Sequence, residues 1–143
     1  MVSFPHDFLS AQTLVATLKL MHQDQRYKQI LFYLESCESG SMFQDLPADI
    51  SVLAFTASNA TAPSFACYYD HSLETFLADV FSISWLLDSE SRNHQTERIL
   101  EQIEAVATNT SSYSVSSVYG NNLYIGLGGS GGLIRKYFRR QKH

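Results

Sequence analysis

The residues able to do chemistry gather in one short stretch, LFYLESCESGSMF, residues 31–43. A thiol, Cys37, stands between two carboxylates, Glu35 and Glu38, just past a run of apolar residues. A cysteine at such a place can act as a nucleophile, since groups beyond the carboxyl end of a buried strand are presented by loops rather than locked in a ladder. The bland alternative is a packed structural thiol. Neighbouring carboxylates oppose ionisation of a thiol, so a nucleophile here needs a base from another strand. Ser39, Gly40 and Ser41 fit the opening of a turn, and Gly40 would also admit a substrate close to the backbone.

The elements that must position this thiol follow from apolar spacing. Ala11, Leu14, Leu18 and Met21 recur at helical intervals, which predicts an amphipathic helix over residues 11–22 with Ser10 as N-cap and Asp24 closing it. Ile30 to Leu34 and Ile50 to Thr56 are short continuous apolar runs of the kind buried on both faces of a sheet, with a helical turn predicted at Met42 to Leu46 before Pro47. Helix, strand, short crossover and strand point to a parallel α/β sheet. Residues 75–88 read as a largely buried helix, and Thr96 as the cap of a surface helix bearing Ile99, Ile103 and Val106. A last strand is expected from Tyr113 to Tyr119, ending at Gly120.

Composition bounds the function. The 143 residues and 45% apolar content fit one globular domain. All fourteen acids lie in residues 1–134, whereas five of the ten bases lie in the last nine residues. An acidic body argues against a nucleic-acid partner, and the basic end reads as a solvated terminus. Two cysteines, Cys37 and Cys67, are too few for a disulfide scaffold and read as free thiols or one incidental pair. No apolar run is long enough for a membrane span, and the start MVSFPHDF has no signal-peptide character. Two glycosylation triplets begin at Asn59 and Asn109. Gly126 to Gly131 fits GxGxxG, but too little chain follows for the helix, strand and acid that a dinucleotide site needs, so residues 121–143 read as a flexible Gly-rich and basic tail.

The stretch around Cys37 closely resembles the catalytic-cysteine segment of the legumains, the asparaginyl endopeptidases, in which a strand ends in Glu-x-Cys-Glu-Ser-Gly-Ser. The likeness continues in order through Ala57-Ser58-Asn59, Ser64-Phe65-Ala66-Cys67-Tyr68-Tyr69-Asp70, Phe76-Leu77-Ala78-Asp79, Phe81-Ser82-Ile83-Ser84-Trp85, Asp88-Ser89, Asn109-Thr110-Ser111 and Tyr119-Gly120. It covers Phe4 to Gly120, so residues 1–120 read as a partial peptidase domain. The resemblance implies a caspase-like α/β fold, a mainly parallel sheet flanked by helices, here without its first strands. It implies cleavage of peptide bonds after asparagine, no cofactor or metal, peptide or protein substrates, and a lysosomal or vacuolar location.

By position, Cys37 would be the nucleophile, and Glu35 and Asp79 would line the pocket that reads the asparagine amide, with Ser64 in another wall. Pro63 stands where the family commonly has a second serine. Apart from the resemblance, Asp79 could be a first-turn acid favoured by the helix dipole. The family's catalytic histidine belongs to a His-Gly motif upstream of the first helix seen here, and this chain starts after it. Of its five histidines, only His71 falls near the pocket wall. The sequence therefore reads as a fragment of a cysteine endopeptidase lacking the catalytic histidine, inactive alone and open to self-association at an exposed sheet edge. The alternative is an inactive homologue with a binding or regulatory role.

Overall fold

The computed structural model describes residues 1–93 and 95–121. Its centre is a three-stranded sheet. Strand β3 (Ile30–Leu34) runs parallel to β4 (Val52–Thr56), pairing Ile30 with Val52 and Leu34 with Thr56, and β7 (Ser117–Gly120) runs antiparallel on the other side of β4. The described sheet is thus mixed, with its parallel pair at the predicted place and an antiparallel edge. Two short strands, β1 (Val2–Ser3) and β2 (Phe8–Leu9), form a small hairpin that the sequence reading did not anticipate.

Strand β4 explains the layering. All five of its residues are buried, and because side chains alternate across a strand they feed two cores. Leu53 and Phe55 join Phe81, Ile99, Ile103 and Val106 on one face, while Val52 and Ala54 join Leu14, Leu18, Met42, Phe43 and Leu46 on the other. Helix α1 (Ala11–Gln23) covers the second face. Its start is fixed by Ser10, whose Oγ accepts from the Thr13 N–H at 3.0 Å, as the sequence predicts. Helices α2 (Val80–Ser91) and α3 (Ile99–Thr110) cover the first face. Helices on both sides of the sheet make the domain α/β.

Four boundaries differ from expectation. The helix predicted over 75–88 begins only at Val80, because Thr75–Asp79 is strand β6, paired antiparallel with β5 (Ala66–Asp70). Asp70 closes that hairpin by accepting from the N–H groups of Ser72 and Leu73 and the hydroxyl of Ser72. Phe76 and Leu77, which fitted a buried helical face, are 54% and 59% exposed. Thr96 caps nothing. It sits in a turn bonded to the Asn93 carbonyl, and α3 starts after Arg98, whose N–H donates to Glu101 Oε2 at 2.8 Å. The helical turn after the thiol is a 3-10 turn at Ser39–Met42 rather than at Met42 to Leu46. The last strand is shorter than expected, since α3 runs on to Thr110 and a turn through Ser114 follows. The Gly-rich and basic segment from residue 122 on, with its GxGxxG match, lies outside the described residues, as does His94.

Gly120 ends β7 with φ +88°, and a Cβ there would collide with the Val52 carbonyl and come within 2.7 Å of Leu46 Cδ2. Gly120→Ala is therefore expected to destabilise the fold by about 2–4 kcal/mol through left-handed strain and overpacking. Urea denaturation of both chains checks this.

Candidate active site

The parallel strands end level with one another, Leu34 opposite Thr56, and the chains leaving them are sewn together at once. The Ala57 N–H donates to the Leu34 carbonyl at 2.9 Å. Beyond it, Ser39 and Ser58, both fully buried, bond reciprocally. The Ser39 N–H donates to Ser58 Oγ at 3.1 Å, and the Ser58 N–H donates to Ser39 Oγ at 3.0 Å. The Ser58 hydroxyl also donates to the Ser36 carbonyl at 3.2 Å, directly before the thiol residue.

Glu38 takes a left-handed conformation, φ 53°, and donates its N–H to the Ala62 carbonyl. Gly40 is needed for a different reason from the one its position implied. Its added Cβ would clash with the Tyr119 hydroxyl and lie 2.8 Å from Ala60 N and Asn59 C, so the close approach is by the chain's own backbone rather than by a substrate.

This stitching leaves Cys37 exposed on the turn. Its Sγ accepts from the Ser64 N–H at 3.4 Å, and the thiol reaches the Ser64 carbonyl at 3.5 Å. Cys37 and Ser64, distant in sequence, therefore meet. Both cysteines are free thiols.

The carboxylates gather beside them. Glu35 leaves β3 toward the start of α2, where the Ser82 N–H and hydroxyl both donate to its Oε2, at 2.9 and 3.0 Å. Its Oε1 is buried and has no hydrogen-bond partner among the described residues. Burial pushes the Glu35 carboxyl above the ordinary range; the Ser82 bonds oppose that, the Asp79 charge adds to it, and the Ser64 hydroxyl opposes it. Asp79 is the N-cap residue of α2 but makes no side-chain cap bond, so its half-buried carboxylate is held by its place between β6 and α2. Cys67 on β5 is raised by burial and by the charges of Asp79 and Glu35, which places this second thiol beside the same acids.

All four predicted site residues, Cys37, Glu35, Ser64 and Asp79, thus converge at one end of the sheet. His71 does not join them. It stands past Asp70 at the hairpin turn, its ring edge-on to Tyr69 at 5.1 Å, and makes no hydrogen bond to Sγ. Among the described residues no set of three or more histidine, cysteine or acidic side chains could hold a metal, and no helix is long and apolar enough to cross a membrane. Sequence reasoning missed Ser82, Ser39 and Ser58 as supports. The available signal for Ser82 was its position in the first turn after Asp79, a small polar group between Phe81 and Ile83.

The class this defines is an α/β domain that presents an exposed thiol in a loop just past the ends of two parallel strands, where such sheets display reactive groups. Comparison makes the class specific. The model of the peptidase C13 family matches residues 1–124. The chain is 40% identical to legumain of Bos taurus over 118 residues, 82% of this chain and 27% of that protein. It is 41% identical to hemoglobinase of Schistosoma mansoni over 104 residues, 71% of this chain and 24% of that protein, and 38% identical to vacuolar-processing enzyme of Citrus sinensis over 115 residues, 75% and 23%. The chain belongs to the peptidase C13 or legumain family of cysteine-type peptidases, and it spans about a quarter of the length of the curated relatives it matches.

Ser82→Ala removes one of two donors to ionised Glu35. The Glu35 pKa is expected to rise further, read by carbon-detected NMR titration of labelled glutamates. The stability loss is expected to be about 1–2 kcal/mol where Glu35 is ionised and smaller below its pKa, because the lost bond favours the charged form.

Proposed function

We propose that this chain carries the nucleophile and the specificity carboxylates of a cysteine endopeptidase that cleaves after asparagine. The convergence of Cys37, Ser64, Glu35 and Asp79 is the observation that supports the reading most. Glu35 Oε1 is an acceptor without a donor among the described residues, and a side-chain amide NH2 is a neutral donor of the kind it can accept from. The Cys37 thiolate attacks the backbone carbonyl carbon of the asparagine itself; the C–N bond to the following residue breaks as the leaving amine takes a proton; water then hydrolyses the thioester, which releases the asparagine carboxyl and restores the thiol.

A base must reach Sγ, and no described histidine does. The resemblance gives that role to the histidine of the family's His-Gly motif, and among the described residues the edge of β3 that faces away from β4 carries no strand. Left unpaired, the same edge would template association of two copies. The substrates are peptides or proteins, and a lysosomal or vacuolar setting follows from the relatives, one of which is named as vacuolar.

An electrophilic peptide probe ending in asparagine tests the reading without needing turnover. Labelling is expected at Cys37, outcompeted by asparagine peptides but not by alanine peptides, lost in Cys37→Ala, and weakened at least about tenfold in Glu35→Gln or Asp79→Asn. Labelling indifferent to the probe's terminal residue would overturn the assignment.

A further inference from the structure

Away from the thiol, two carboxylates face one another in the interior. Asp88, near the end of α2, and Glu97, just before α3, have side chains only 5% and 2% exposed. Each is within hydrogen-bonding reach of the other. Among the described residues Asp88 Oδ2 and both Glu97 oxygens have no hydrogen-bond donor. Among the described residues one cation attends them: Arg92 Nε lies 2.8 Å from Asp88 Oδ1 and 3.5 Å from Glu97 Oε1.

Two buried carboxylates against one guanidinium leave one negative charge without compensation, which a buried site does not tolerate. Arg92 already serves both carboxyls through the same Nε, so a proton is the economical remedy for the charge that remains. A proton between the two carboxyls also supplies a donor where the geometry has none.

We infer that Asp88 and Glu97 share a proton that clamps the end of α2 to the start of α3, making the helical layer a pH-sensitive element that loosens as the pH rises. Among the described residues, the other charged groups at this site are Glu101, in the first turn of α3, whose charge adds to the repulsion, and Glu104, which lines the same groove as Arg92 and Glu101.

The Glu97 carboxyl is pushed from 4.5 up to about 7, by burial first, then by the hydrogen bond and charge of Asp88, with Arg92 opposing. An acid raised in the folded state binds a proton that the unfolded chain has released. Its stabilisation is complete below 4.5 and is lost as the pH rises through about 7. Asp88 adjoins Ser89, whose hydroxyl accepts from the Gln102 amide at 2.9 Å, and Gln102 in turn accepts from the Tyr33 hydroxyl on β3. The clamp therefore adjoins the polar tie between both helices and the strand that carries the site.

The inference stands whether or not Cys37 is a nucleophile, because its test reads stability and protonation. Glu35 is also raised by burial, so the comparison is made in a Glu35→Gln background. Thermal unfolding of that chain is expected to lose roughly 4–8 °C in Tm between about pH 5 and pH 8, and the further change Glu97→Gln, which imitates the protonated form, to remove most of the loss. Equal losses in the two chains would overturn the clamp. Should Glu97→Gln not fold, infrared spectroscopy of the Glu35→Gln chain decides. A protonated-carboxyl carbonyl band persisting at about pH 6, where ordinary carboxyls have ionised, supports the shared proton, and its absence refutes it.

Discussion

The reciprocal bonding of Ser39 and Ser58 is the constraint on which the site depends. Two loops leave neighbouring parallel strands at the same level, and their backbone groups are buried where no ladder continues. Each serine hydroxyl accepts from the other residue's N–H, so two buried donors find partners in one contact. The Ser58 hydroxyl donates onward to the Ser36 carbonyl, and the Thr56 hydroxyl donates to the Ser58 carbonyl at 2.9 Å. Residues on either side of Cys37 are thereby fixed to β4, the most buried strand of the domain. An exposed thiol gains a defined position from a floor that is buried and polar. A methyl group at Gly40 would lift that floor, which is why the smallest residue stands there.

The same economy governs the carboxylates. Burial favours the neutral form of Glu35, and the two donors of Ser82 oppose that tendency. They come from the first turn of α2, where N–H groups have no helical partner and the dipole favours negative charge. Asp79 draws on the same helix end. A site with two close acids is thus supported by one helix start and one serine, and no arginine or lysine among the described residues pairs with either acid.

Legibility in the sequence followed the range of the interactions. Helix α1, its Ser10 cap, strand β3 and the place of Cys37 just past that strand are set by neighbours along the chain, and spacing revealed them. The β5–β6 hairpin was hidden because Phe76, Val80, Ile83 and Leu87 happen to keep helical phase across a strand-to-helix junction. Only pairing with Ala66–Asp70 breaks the tie. The candidate site residues came from the resemblance of motifs, since nothing local brings Ser64 to Cys37 or Asp79 to Glu35. Ser82 and the Asp88–Glu97 contact are tertiary facts without periodicity and could not be read from spacing.

Helix α2 joins these features by its polarity. Its first turn receives acids at the favourable end of the dipole, whereas Asp88 sits in the last turns, where the dipole disfavours negative charge and burial removes water. An acid placed there needs a cation, a proton or both. Arg92 supplies the cation and bonds its N–H to the Asp88 carbonyl at 3.1 Å, closing the helix with the residue that neutralises it. Glu97 then brings a second charge that the single guanidinium cannot balance. At the first end two donors oppose the rise that burial imposes on Glu35, and at the far end one guanidinium faces two buried carboxyls. Both ends are held to β3, the first through Glu35 and Ser82 and the second through Ser89, Gln102 and Tyr33. Protonation at one end and geometry at the other therefore act on the same rigid body.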